Sequence, residues 1–197
     1  MVIRRQRVTR EKDRMSKVFV AKWHHLLLYP DWFRRLHQRP RKFLGDLVRP
    51  GMTAADIGCG LGFYTVEMAR MVGEKGRVTA VDFQPEMLGI TRRKVRKAGV
   101  SGRVETVQCR QDDIIVTGPF DFVLSMWVSH EVADRKRFFR QIRGILKSEG
   151  KFLLAEPRFH VGEELYIKIC DEAGEVGLRK IFEPSIGGSR AALFAAL

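Results

Sequence analysis

The run Ala54-Ala55-Asp56-Ile57-Gly58-Cys59-Gly60-Leu61-Gly62-Phe63-Tyr64-Thr65 combines an apolar strand ending in an acid, three alternating glycines and a helix start. Glycines let a main chain approach an adenosine-containing ligand where a Cβ would clash. A second acid, Asp82, closes the run Val78-Thr79-Ala80-Val81-Asp82, twenty residues after Gly62. At the tip of the next strand such an acid is placed to accept both hydroxyls of a ribose. Spacing separates the candidate ligands. A dinucleotide site uses G-x-G-x-x-G, whereas here the pattern is G-x-G-x-G and Phe63 takes the sixth position. That ring obstructs the close helix–strand packing which a third glycine permits, so a nicotinamide-dependent oxidoreductase is disfavoured. Asp56 also suits a ligand carrying an ammonium better than one carrying phosphates.

In these residues the chain resembles the class I S-adenosylmethionine-dependent methyltransferases, over roughly residues 43–197. The resemblance implies a set of contacts to that cofactor. The amino-acid end meets the Gly58–Gly62 loop with help from Asp56, and the carbonyls of Ser125 and Met126 accept from its ammonium. Asp82 takes the ribose, and Phe83 and Met87 form apolar walls for the adenine. The adenine amino group of such enzymes meets a carboxylate after the third strand, where this chain has Cys109-Arg110-Gln111-Asp112-Asp113-Ile114. Many relatives place the acid nearer the strand end, at the position of Arg110. Asp112 is the preferred candidate, because Asp113 is suited to capping the following turn; a surface carboxylate is the rival reading of either.

Methyl transfer from a sulfonium is an in-line displacement that leaves S-adenosylhomocysteine. Collinear positioning in a dry pocket supplies much of its acceleration. A base is needed only when the acceptor must lose a proton. Candidates cluster in Trp127-Val128-Ser129-His130-Glu131. Trp127 can face the electron-poor methyl, and His130 can take a proton near neutral pH. The competing reading of His130 is a hydrogen-bonded histidine that fixes the loop. Glu156, in Ala155-Glu156-Pro157, and His160 belong to the same rim, since ligands gather at the carboxyl ends of parallel strands.

The stretch Trp127–Val132, with Leu154-Ala155-Glu156-Pro157, is most similar to small methyltransferases of the ubiquinone/menaquinone type. That similarity implies a small or lipid-like acceptor held between N-terminal helices and the sheet. Enzymes acting on exocyclic amines of bases carry Asn/Asp-Pro-Pro-Tyr where this chain has Ser125-Met126-Trp127-Val128. An arsenite acceptor needs converging thiolates, which Cys59, Cys109 and Cys170 are too scattered to supply. The same scatter excludes a disulfide framework or a zinc site.

These residues must be positioned by alternating strands and helices. Strands are expected at Thr53–Ile57, Arg77–Val81, Val104–Cys109, Phe120–Ser125 and Gly150–Ala155, with helices near Phe63–Val72, Pro85–Ala98 and Asp134–Leu146. Pro85 and Glu86 favour a helix start, and Gly99 ends that helix. Phe138, Ile142 and Ile145 stripe one helix face. Next comes a helix over Gly162–Gly174 with Leu165, Ile169 and Ala173 on one face, then strands Val176–Phe182 and Ala191–Ala196 joined by a Gly-rich stretch. The expected fold is α/β: a doubly wound, Rossmann-like, mostly parallel seven-stranded sheet with a C-terminal antiparallel hairpin. An N-terminal helical extension precedes it. Ser16–Leu47 carries apolar residues at mixed helical spacings, interrupted by Pro30 and Pro40. The division expected is a basic leader and helical cap over 1–49 and a cofactor-binding domain over 50–197.

At 197 residues with 45% hydrophobic content the chain suits a sizeable globular core. No apolar run reaches the length of a membrane span, and the N-terminus lacks the apolar segment of a secretory signal, so a reducing cytoplasm is expected. Charge is unevenly placed. The net charge is +13, and residues 1–50 hold fourteen basic against four acidic residues. A solvated leader is one reading; a grip on RNA or peripheral contact with an anionic membrane is the other. Three functions are therefore carried forward: methylation of a small or lipid-like acceptor, methylation of RNA, and a non-catalytic binding protein on the same fold.

Overall fold

A computed structural model describes residues 38–196. The helices expected between Ser16 and Leu47 lie outside them, except that Pro40 opens a short helix, α1 (Pro40–Leu44), rather than merely interrupting one. Then follow β1 (Thr53–Ile57), α2 (Phe63–Met71), β2 (Arg77–Asp82), α3 (Pro85–Lys97), β3 (Val104–Gln108), β4 (Phe120–Met126), α4 (Arg135–Ile145), β5 (Leu146–Pro157), α5 (Glu163–Gly174), β6 (Leu178–Phe182) and β7 (Ser189–Ala196).

The strands form one seven-stranded sheet in the order β3-β2-β1-β4-β5-β7-β6. β1 to β5 are parallel, and β7 runs antiparallel to both neighbours. This is the expected doubly wound sheet with its terminal hairpin. Its central strands are apolar on both faces because each face is covered. On one face Phe122, Leu124 and Leu153 meet Phe43 and Leu44 of α1 and Phe63, Tyr64 and Met68 of α2. On the other, Val123, Phe152 and Phe194 meet Phe139 and Ile142 of α4 and Ile169 and Ala173 of α5. Phe152 lies between Phe139 and Phe194, with ring centroids 6.1 and 5.8 Å away.

One boundary and one helix face differ from the sequence expectation for physical reasons. β5 begins at Leu146, directly after α4, pairs there with Phe120, bulges, and resumes pairing at Lys151 opposite Phe122. Gly150 closes that bulge, where a Cβ would lie 2.8 Å from the Phe120 carbonyl oxygen. In α5 the buried residues are Tyr166, Ile169, Cys170 and Ala173, while Leu165 is exposed. Spacings of three and four admit either Leu165 or Tyr166 beside Ile169 and Ala173, and packing selects the tyrosine.

Sheet order reverses between β1 and β4, since β2 and β3 extend one way and β4 and β5 the other. The carboxyl ends flanking such a reversal leave a crevice where ligands bind. The glycine loop follows β1 and the Trp127–Glu131 segment follows β4, so both stand at that crevice.

Candidate functional site

The glycine loop rests on the tip of β2. Gly58 and Cys59 amides donate to the Val81 carbonyl at 2.8 and 2.9 Å, and the Gly60 amide donates to Asp82 Oδ2 at 2.9 Å. Thr91 of α3 donates its hydroxyl to the Gly60 carbonyl at 2.9 Å. All three glycines have left-handed φ: 73°, 52° and 75° for Gly58, Gly60 and Gly62. Two of them are also required by the fold itself. A Cβ at Gly58 would collide with Val128, and one at Gly62 would stand 2.8 Å from the Thr91 side chain. The loop is therefore glycine-rich partly to let α3 and the segment after β4 close around it.

Asp82 is 6% exposed, and both of its oxygens accept backbone hydrogen bonds, from Gly60 and from Gln84 at 2.9 Å each. Each oxygen keeps a second lone pair for a ligand hydroxyl. Burial raises its pKa, opposed by the amides of Gln84, Gly60 and Phe83. Burial, reinforced by the Asp56 and Asp82 carboxylates, likewise raises the Cys59 thiol. An unneutralised carboxylate at this point fits a ribose and repels a phosphate.

Other residues expected at the cofactor differ in burial and in their partners within the fold. Asp56 is buried and accepts the Thr65 hydroxyl at 2.6 Å, which braces α2 beneath the loop. Ser125 is completely enclosed, and its hydroxyl has no hydrogen-bond partner among the described residues. Met126 and Met87 are buried as well, so of the two apolar walls expected for adenine only Phe83 presents surface. Asp112 points outward and pairs with Arg137 at 3.3 Å. Asp113 accepts the Ile115 amide at 3.0 Å, the turn-capping contact expected of it. Gly58, Gly60 and Phe83 present surface at the crevice, with Asp82 beside them.

The segment after β4 is held under strain. Trp127 has φ 64°, a left-handed conformation that costs a non-glycine residue on the order of 1 kcal/mol or more. Its amide donates to the Ala155 carbonyl at 2.7 Å and its indole N–H to Ser189 Oγ at 2.9 Å. Phe159, itself exposed, meets the indole edge-on at 5.6 Å. His130 follows on a single 3-10 turn, Ser129–Glu131. Its Nδ1 lies 2.5 Å from Glu156 Oε2, and the ring of His160 stands 5.0 Å away. Ser129 donates to the other oxygen of Glu156. Trp127, His130, Phe159 and His160 therefore gather on one rim at the ends of β4 and β5. Phe159 and the partnership of Ser129 with Glu156 were not singled out from sequence; an aromatic residue in the turn after β5 was the available signal.

Residues 49–191 match a family model described as a methyltransferase domain. The ubiquinone/menaquinone biosynthesis C-methyltransferase UbiE of Vibrio vulnificus strain YJ016 is 32% identical over 124 residues, 61% of this chain and 48% of that protein. The UbiE protein of Shewanella sp. strain ANA-3 is 30% identical over 136 residues, 65% of this chain and 54% of its own length. The chain thus spans about half the length of the curated relatives it matches. Among solved structures, a SAM-dependent methyltransferase from Aquifex aeolicus superposes with TM-score 0.81 at 23% identity, covering 90% of this chain and all of that one.

Proposed function

The chain belongs to the methyltransferase domain family, and from that premise we propose that it transfers a methyl group from S-adenosylmethionine to a small, lipid-like acceptor. The observation that carries the reading is the loop Gly58–Gly62 seated on Asp82 at the reversal of the sheet. When bound, the cofactor supplies a methyl on a sulfonium, and attack on that carbon sends the C–S electron pair to sulfur. The carbonyls of Gly58 and Gly60 would accept from its ammonium, Asp82 would accept its ribose hydroxyls, and Phe83 would flank its base. Trp127 lends a ring face to the cationic centre. Where the acceptor gives up a proton as its nucleophilic atom gains the methyl, His130 Nε2 receives it. The quinone-pathway relatives support an acceptor with an apolar body, and the aromatic rim of Trp127 and Phe159 suits a planar one.

The test uses the full chain, a methyl-labelled donor and cell extract separated into lipid, water-soluble small-molecule and RNA fractions. Label in the lipid-soluble small-molecule fraction, absent from an Asp82→Ala control, is expected. Label in RNA would replace the acceptor class, and calorimetric binding of the donor with no labelled product would leave a binding protein on this fold.

A further inference from the structure

We infer that Glu156 is a positioning residue that locks His130 in the Nδ1–H tautomer, leaving Nε2 as a bare lone pair facing the rim; the inference rests on the reading of His130 as the proton acceptor. Glu156 is completely buried near the end of β5, where it lies opposite Arg190 of β7 and directly follows Ala155, which pairs with Met126 of β4. A buried carboxylate is strongly unfavourable unless hydrogen bonds satisfy it. Here Ser129 donates to Oε1 and the imidazole Nδ1 approaches Oε2 at 2.5 Å, so each oxygen has one partner from the segment after β4.

An ionised carboxylate only accepts, so the ring nitrogen facing it must carry the hydrogen. On the far side of the ring, Nε2 is 3.8 Å from Glu131 Oε1, beyond hydrogen-bond reach. The neighbouring cations do not take Glu156 over. Arg190, directly opposite it across the β5–β7 pair, donates to the Val161 carbonyl at 2.9 Å. Arg135, whose guanidinium senses the Glu156 charge, is forked onto Glu172 at 2.5 and 3.0 Å. The carboxylate is left to offset a proton arriving on His130. Glu156 does not reach the reacting atoms; it acts through the histidine.

Tautomer state is readable without any acceptor. In the full chain labelled with ¹⁵N-histidine, long-range proton–nitrogen spectra at pH 8 are assigned by His130→Gln among the five histidines. His130 is expected as Nδ1–H, outweighing Nε2–H by roughly tenfold or more. Glu156→Leu, which keeps bulk and removes the acceptor, is expected to move the ring toward Nε2–H while the backbone amide spectrum is retained. An Nε2–H or doubly protonated ring in the unmodified protein overturns the inference, as does an unchanged tautomer in Glu156→Leu. Should that variant not fold, the spectrum of the unmodified chain decides alone. Calorimetry with S-adenosylmethionine on the same samples separates the two claims. A locked tautomer with no cofactor binding sinks the methyl-transfer reading, and normal binding with an unlocked ring sinks only this one.

Discussion

Two carboxylates that look alike in sequence, Asp82 and Asp112, have opposite surroundings. Asp82 is enclosed at the end of β2 and bonded to the glycine loop, whereas the Asp112 side chain is 66% exposed in an ion pair with Arg137. Exposed ion pairs contribute little, and a carboxylate already in water gains little by meeting a ligand. Asp82→Asn is therefore expected to weaken S-adenosylmethionine binding by roughly 10- to 100-fold, the loss of hydrogen bonds to a charged acceptor. Asp112→Ala is expected to change it by less than about threefold. Calorimetric titration of both variants checks the contrast, and a comparable loss in each would return Asp112 to the adenine site. The raised pKa of Asp82, caused first by burial, has a signed consequence. Acidification is expected to weaken cofactor binding at pH values above the ordinary aspartate range, as the carboxylate takes up a proton. The same group adds no acid lability to the fold. A folded-state pKa above the unfolded one contributes stability below the unfolded value and loses it as pH rises through the folded value. Binding measured across pH beside thermal unfolding separates the two effects.

At the scale of elements, the site depends on β1 and β4 keeping their relative register, because one carries the glycine loop and the other Trp127. Their opposite ends are tied by Asp121, which accepts from the Thr53 amide at 2.8 Å, the Thr53 hydroxyl at 2.9 Å and Lys147 Nζ at 2.7 Å. Burial pushes the Asp121 pKa upward, but the Lys147 and Thr53 donors outweigh it and the net shift is downward. Stability from Asp121 is accordingly present above its unfolded pKa and lost as pH falls through the folded one. Asp121→Ala is expected to cost about 1.5–3 kcal/mol at pH 7, with the gap to the unmodified chain closing in acid. Urea unfolding at the two pH values measures it; a pH-independent gap would assign the loss to packing instead. The elements themselves were legible because strands buried on both faces read as apolar runs, and because Pro85, Gly99 and the glycine loop punctuate them. What sequence did not reveal was which polar groups the fold consumes internally. Asp56 is bonded to Thr65, and Ser125 and Met87 are enclosed, features that only three-dimensional packing decides. Conversely, His130 and Glu156 are 26 residues apart, and the adjacency of β4 and β5 is what brings them together.

For the molecule as a whole, the charge is unevenly placed along the sequence. The net charge is +13, and most of the excess lies in the first fifty residues, ahead of the sheet. Among the described residues no helix is long and apolar enough to cross a membrane. Basic segments are drawn to anionic lipid by about 1 kcal/mol per Lys or Arg near the surface, an attraction that falls off within a Debye length. The full chain is therefore expected to co-sediment with vesicles containing phosphatidylserine and not with phosphatidylcholine vesicles alone. Raising salt from about 0.05 to 0.5 M should release it, since the Debye length then shrinks severalfold. Neutralising the basic residues of the first fifty should abolish the partition while leaving S-adenosylmethionine affinity intact, because none of those residues belongs to the glycine loop or to β2. Equal partition onto both vesicle types would mean that apolar contact, not charge, draws the chain to lipid. Competition by RNA at equal phosphate concentration, with no preference for the bilayer, would instead tie the basic segment to a nucleic-acid acceptor.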